Sequence, residues 1–351
     1  MWPWDAVMPI AGHIRKLRRM LPAFVAGALL CVTAASARAD IVSLSDQLRG
    51  TVMSQRQCEE LPRAVWLQVA GRDFCMRYYL SMAGGQGSRA FVFLQGDRLG
   101  RLDGVTGEFS PGPRDKDVDT SDYNKVATLL SQQAGMPGIY LARPGLDGSS
   151  GSHRIRHTSL ELHVVNAALD AIKRRHRLEG FHVIGQSGGS TLIGGLLGLR
   201  SDLGCAVIGA GVLSYPRTLR SSDPARDYFN AAEAVGAIAQ NRATRIILIT
   251  DPLDRKVPAR VQTDFVNRLR LAGGRAEQFL VQAMDADRHG VLAYTRTAAL
   301  GCLRGSSTEA IEKRLALQVE QALAARSAAA AAVESQKLAA TRDGGFSIPA
   351  R

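Results

Sequence analysis

The sequence has few features that would mark it as a membrane, metal or nucleic-acid protein. After the first 39 residues no apolar run is long enough to cross a bilayer. That excludes a multi-spanning protein. Cysteine is scarce, with 5 residues in 351, and no pair has the close spacing of a zinc site. No metal and no organic cofactor is therefore expected. The formal net charge of +12 comes without a basic stripe, because Lys and Arg alternate with acids. This argues against a nucleic-acid partner. There is no internal repeat, which excludes a solenoid or propeller. Histidine is also thin after the middle of the chain: His289 is the sole one beyond residue 187.

What is present begins with an export pattern over 1–39. Arg15, Lys16, Arg18 and Arg19 form a basic segment, Met20–Thr33 is apolar, and Ala37-Arg38-Ala39 fits small-x-small cleavage before Asp40. The uncharged stretch Met20–Ala37 spans 18 residues, the lower edge of a membrane helix. An uncleaved anchor is the alternative. Either way the domain is expected outside the cytoplasm, periplasmic or secreted, with no stable membrane span once the signal is cleaved. Removal of the segment would leave 312 residues with a net charge of about +8, enough for one large domain. Four cysteines remain. An even count in an oxidising compartment predicts two disulfides, with Cys58–Cys75 and Cys205–Cys302 the simplest of the three connectivities.

Local patterns predict a hairpin from Ala64–Val69 and Phe74–Leu80, then a buried strand at Ala90–Leu94. A Gly/Pro/Asp loop leads to a helix capped by Thr120 or Ser121 and running to Gln133. Strands follow at 138–143, 181–184, 205–212, 245–250 and 276–282. Helices fall between them at 159–175, 187–199, 257–271 and 291–303. Strands alternating with helices require a mostly parallel α/β sheet covered on both faces. The α/β domain covers 40–305, and the irregular segment 214–244 reads as a short cap. The tail 306–351 reads as an Ala-rich surface helix that frays.

The most informative stretch is Gly185-Gln186-Ser187-Gly188-Gly189, between the strand Phe181–Ile184 and a small-residue helix. Chance alone supplies roughly a quarter of one such G-x-S-x-G match per chain of this composition. The context is what raises its weight. A sharp strand-to-helix turn holds a serine hydroxyl exposed at the end of a sheet, and the next amide points where an oxyanion forms. Such a serine needs a base and an acid, which follow it in that order in this geometry. His289, in Asp285-Ala286-Asp287-Arg288-His289-Gly290, lies just past the last predicted strand. Asp251 and Asp254 lie in the loop after the strand ending Ile249-Thr250.

With Asp254-Arg255-Lys256-Val257-Pro258, an Asp two residues before Val-Pro, the chain resembles the α/β-hydrolase superfamily over about 60–305. The resemblance implies the α/β-hydrolase fold with a Ser187, Asp254, His289 triad. Asp251 then shapes the loop, and Asp285 and Asp287 are weaker alternatives for the acid. It also implies an oxyanion hole from the amides of Gly188 and Asp97, with Gly96 the alternative to Asp97. The turn Gln95-Gly96-Asp97 stands where many members carry His-Gly. Cleavage would pass through an acyl-enzyme on Ser187. His153 and His157 read as exposed loop histidines beside the site, and His163, His176 and His182 as structural or surface residues. The expected substrate is a small or polymeric ester. A peptidase of the same fold and a non-catalytic binding module on it are the competing readings.

Overall fold

The computed structural model describes residues 40–103, 106–113, 115–215 and 227–343. The expected export segment 1–39 and residues 216–226 of the expected cap lie outside the described residues. Twelve strands are present among the described residues: β1 (Ile41–Val42), β2 (Ala64–Val69), β3 (Arg72–Ser81), β4 (Arg89–Leu94), β5 (Arg101–Leu102), β6 (Phe109–Ser110), β7 (Val118–Asp119), β8 (Gly138–Leu141), β9 (Gly180–Gln186), β10 (Leu203–Gly209), β11 (Arg245–Thr250) and β12 (Glu277–Leu280). Eight of them form the main sheet, in the order β12-β11-β10-β9-β4-β8-β3-β2.

Only the two joins involving β3 are antiparallel; the other five are parallel. The hairpin β2–β3 turns on Ala70 and Gly71, both at positive φ of 50° and 71°. Those values match the twist that tight two-residue hairpins need. The middle strands read as unbroken apolar runs because helices cover both sides. Phe91 to Leu94 and Val183–Ile184 are buried. The helices Thr120–Ala134 and Leu292–Leu303 pack on one face. The helices Ser159–His176, Gly188–Leu199, Val235–Gln240 and Ala259–Leu271 pack on the other.

The chain steps from β4 to β8 on one side, then returns to place β9 on β4's other side. That reversal opens a crevice at the carboxyl ends of the strands, where open α/β sheets carry their sites. Asp97, Arg143, Ser187, Asp254 and His289 each follow one of these strand ends.

Both expected disulfides are present, Cys58–Cys75 and Cys205–Cys302, closing separations of 17 and 97 residues. The second ties β10 to the helix Leu292–Leu303. Some boundaries differ from the sequence reading. Thr120 is the first helical residue, not the cap; Asp119 caps by accepting from the Ser121 amide at 2.8 Å. The strand expected over 205–212 begins at Leu203 and ends at Gly209. The tail forms one helix, Thr308–Asp343, through the Ala run expected to fray. Alanine has the highest helix propensity, so the run extends the helix. Ile311 and Leu315 are buried at 1% and 3% exposure, and Thr297 donates to Gln318 at 2.7 Å. No helix among the described residues is long and apolar enough to cross a membrane.

Candidate active site

Ser187 sits at φ 52° and ψ −122°, directly before the helix Gly188–Leu199. A non-glycine residue held there costs about 1–3 kcal/mol and persists only where its surroundings leave no alternative. The glycines around it supply that constraint. A Cβ on Gly189 would lie 2.1 Å from the Leu94 carbonyl oxygen, and one on Gly185 would lie 2.8 Å from the Gly189 carbonyl carbon. Only bare backbone lets the helix start so close to β4 and β9. The Ser187 amide donates to the Gly209 carbonyl at 2.8 Å, fixing the turn against β10.

His289 faces Asp254. Its Nδ1 is 2.8 Å from Asp254 Oδ2, and the Asp254 side chain is fully buried. The other oxygen, Oδ1, accepts from the Lys256 and Val257 amides at 2.8 and 2.9 Å. A carboxylate with these donors is an acceptor, so Nδ1 carries the proton and Nε2 is left basic. The spacing Asp-x-x-Val therefore has a physical meaning: it closes a turn of amides on the carboxylate. Gln186 ties the two halves together, its Nε2 donating to the His289 carbonyl at 2.7 Å. This contact joins the elbow to the histidine loop, and no local pattern signals it.

The other acids near His289 have different work. Asp251 is buried and receives Arg288 through two nitrogens at 2.7 and 3.0 Å, plus the Ala283 and Leu253 amides at 2.7 and 2.8 Å. It binds the loop after β11 to the loop after β12. Asp285 accepts from the Gly290 amide at 2.7 Å and the His289 amide at 3.1 Å. Burial would raise its carboxyl, but those amides outweigh it and hold it below its ordinary value. Asp287 pairs with Lys256 at 3.0 Å near the surface.

On the opposite side of the elbow, Asp97 stands against Gly188. A Cβ on Gly188 would lie 2.0 Å from Asp97 Oδ1. The Asp97 side chain is a quarter exposed, while the residue as a whole is exposed, so its backbone carries much of that exposure. Arg143, 1% exposed, donates to Asp97 Oδ1 at 2.8 Å, to the Gln95 carbonyl at 3.3 Å and to Glu161 at 2.8 and 3.1 Å. His157 Nε2 lies 2.9 Å from Asp97 Oδ2. Crowding would raise the Asp97 carboxyl, yet His157 and Arg143 hold it well below the usual carboxylate range. The turn Gln95-Gly96-Asp97 is thus clamped at both ends.

The expectation of exposed loop histidines is corrected here. His153 is fully buried, stacks on Phe109 and has both ring nitrogens without a hydrogen-bond partner, Nε2 lying 3.8 Å from Asp97 Oδ1. Burial and the nearby Arg143 push its pKa well down, so it is neutral. His157 is half-buried at φ 66°. The loop from Leu146 to His157 is polar but folds inward, because its polar groups find partners there: Ser150 and Ser149 accept from the Cys75 and Arg77 amides, Asp147 from Arg98, and the His157 amide donates to Glu161. His176 and His182 are structural, paired with the Tyr78 hydroxyl at 2.7 Å and the Cys205 amide at 3.0 Å.

Behind this clamp Asp147 accepts from the hydroxyls of Tyr123 and Tyr140 and from Arg98, and Tyr140 also reaches Gln95 Oε1 at 3.0 Å. Burial first, then the Asp147 charge, raises the Tyr140 hydroxyl well above its ordinary value, so it stays a donor. Two tyrosines apart in the chain announce no such cluster. Among the described residues no group of His, Cys, Asp and Glu is arranged to hold a metal.

No family model and no curated protein matches this chain in sequence. Among solved structures it is similar to an esterase of Pyrococcus furiosus, at 13% identity and a TM-score of 0.47, covering 76% of this chain and 97% of that one. It is also similar to an acylaminoacyl peptidase of Pyrococcus horikoshii, at 14% identity and a TM-score of 0.45, covering 77% of this chain and 43% of that one. A dipeptidyl peptidase 4 of Porphyromonas gingivalis matches at 14% identity and a TM-score of 0.47, covering 70% and 35%. These are likenesses of backbone. The strand order puts the turn at Ser187 after β9 and the loops carrying Asp254 and His289 after β11 and β12, at the ends of neighbouring strands of a mostly parallel α/β sheet.

Proposed function

We propose that this protein is an exported serine hydrolase that cleaves carboxylic esters through Ser187, His289 and Asp254. The carrying observation is the Asp254–His289 pair, set beside a serine held at positive φ and linked to it by Gln186. His289 takes the Ser187 proton, Ser187 attacks the carbonyl, and Asp254 stabilises the imidazolium. The amides of Gly188 and Asp97 receive the oxyanion. His289 returns its proton to the leaving group, and water then releases the acyl group. Export is supported by the pattern over 1–39 and by two disulfides, which persist in oxidising compartments.

A serine peptidase uses the same groups, so the test must present both bonds. Purified protein is screened against nitrophenyl esters of graded chain length and aminoacyl anilides, with Ser187→Ala as control. Ester turnover lost in the variant is the expected result. Anilide turnover alone would make the protein a peptidase. Turnover that survives in Ser187→Ala would overturn the reading.

A further inference from the structure

Asp97 is an unexpected residue beside an oxyanion hole. Its carboxylate crowds Gly188, so an unneutralised charge there would oppose the negative charge that develops on the substrate. An apolar residue at position 97 would offer the same amide without that penalty. The chain instead surrounds this carboxylate with donors. Arg143 is already shared with Glu161, so one guanidinium serves two carboxylates and His157 supplies the remaining donor.

His157 is itself held from several directions. Its amide donates to Glu161 Oε2 at 2.6 Å. Its Nδ1 lies 2.7 Å from the Tyr215 hydroxyl. Burial first, then the Asp97 charge, raises the Tyr215 hydroxyl well above its ordinary value, so it remains protonated and donates. That fixes the imidazole tautomer, with Nε2–H toward Asp97. Tyr215 stacks on Tyr228, and the Phe229 amide donates to the His157 carbonyl at 3.2 Å. Both described ends of the segment leaving β10, at Tyr215 and at 227–229, therefore close on one histidine.

We propose that Tyr215, His157 and Asp97 form a positioning relay that fixes the Asp97 amide against Gly188 and couples the oxyanion side of the site to Tyr215. The inference rests on the hydrolase reading above. None of the three side chains exchanges a proton with substrate; they act through the Asp97 backbone. Rate, rather than affinity, is what such a relay controls.

The test is a set of variants assayed on the best ester from the screen. Asp97→Ala lowers kcat by about 100-fold, the cost of misplacing an oxyanion donor, with KM within about threefold. Tyr215→Phe lowers kcat by about fivefold. Asp97→Asn is tolerated, because the relay can reverse: Asn donates to Nε2, Nδ1–H donates back, and the Tyr215 hydroxyl accepts. Phe at 215 cannot accept, so Asp97→Asn with Tyr215→Phe loses at least about fivefold more than the product of the two single losses. Near-ultraviolet circular dichroism confirms folding, and Tyr215→Phe serves if Asp97→Ala does not fold. Wild-type kcat in Tyr215→Phe, losses confined to KM, or independent multiplication in the double variant would each overturn the relay. A wild type with neither turnover nor reaction of Ser187 with a fluorophosphonate removes the hydrolase reading and the relay with it.

Discussion

Two Asp–His pairs flank Ser187, and they are built differently. Asp254 and His289 pair through Nδ1, with Asp254 fully buried and satisfied by the turn that carries it. The imidazole keeps Nε2 free. Asp97 and His157 pair through Nε2, with Nδ1 occupied by Tyr215 and the carboxylate shared with Arg143. In the proposed mechanism the same two residue types make a base on one side and a fixed strut on the other. Which ring nitrogen faces the acid decides the role, not the presence of the pair.

Breaking the first pair produces the largest effects. Ser187→Ala lowers kcat roughly a million-fold, and Asp254→Asn about ten-thousand-fold by favouring the wrong tautomer. Both leave the melting temperature near wild type, which thermal denaturation checks. Removing the cation beside the second pair adds a loss of stability. Arg143→Ala leaves Glu161 and Asp97 without their shared cation and destabilises by about 3–5 kcal/mol, measured by urea unfolding. A uniform stability loss across both sides would erase the contrast.

A smaller effect tests the bridge between the sides. Gln186→Ala frees the His289 carbonyl and lowers kcat up to about 100-fold by letting the loop drift. Unchanged turnover would show that Asp254 alone places His289. The smallest effect is on pH. His153 has a lowered pKa in the fold, so its stability contribution is full above about pH 6.5 and is lost as pH falls and the unfolded chain takes the proton. Asp97 acts in the same direction but only below about pH 3.8, where its carboxyl protonates first in the unfolded chain. His153→Phe makes the fall that begins near pH 6.5 shallower, the remainder coming from His176 and His182, whose pKa values burial also lowers, and leaves the loss below pH 3.8 in place. Urea midpoints at a series of pH values separate the two.

The first pair was legible in the sequence and the second was not, for a physical reason. Ser187, Asp254 and His289 sit in loops tied to strand ends, and both Gly-x-Ser-x-Gly and Asp-x-x-Val-Pro are local solutions to local geometry. The alternation of strands and helices likewise exposes the sheet. Arg143, Glu161, His157 and Tyr215 meet across distant elements, and nothing local requires each to be polar. A polar Leu146–His157 loop looks solvated until the buried arginine beneath it is known. Gln186 was read only as the variable residue of the elbow, although its side chain reaches a carbonyl 103 positions away. The Ala-rich tail was legible as a helix, but its anchoring at Ile311 and Leu315 is tertiary.

The most direct measurement is the site and rate of fluorophosphonate reaction, followed by intact mass and peptide mapping. The account predicts a single adduct on Ser187 in the folded wild type. It also predicts labelling slowed at least a thousand-fold in His289→Ala, and abolished by unfolding. An adduct at another residue, or equal labelling of Ser187 with and without His289, would contradict it.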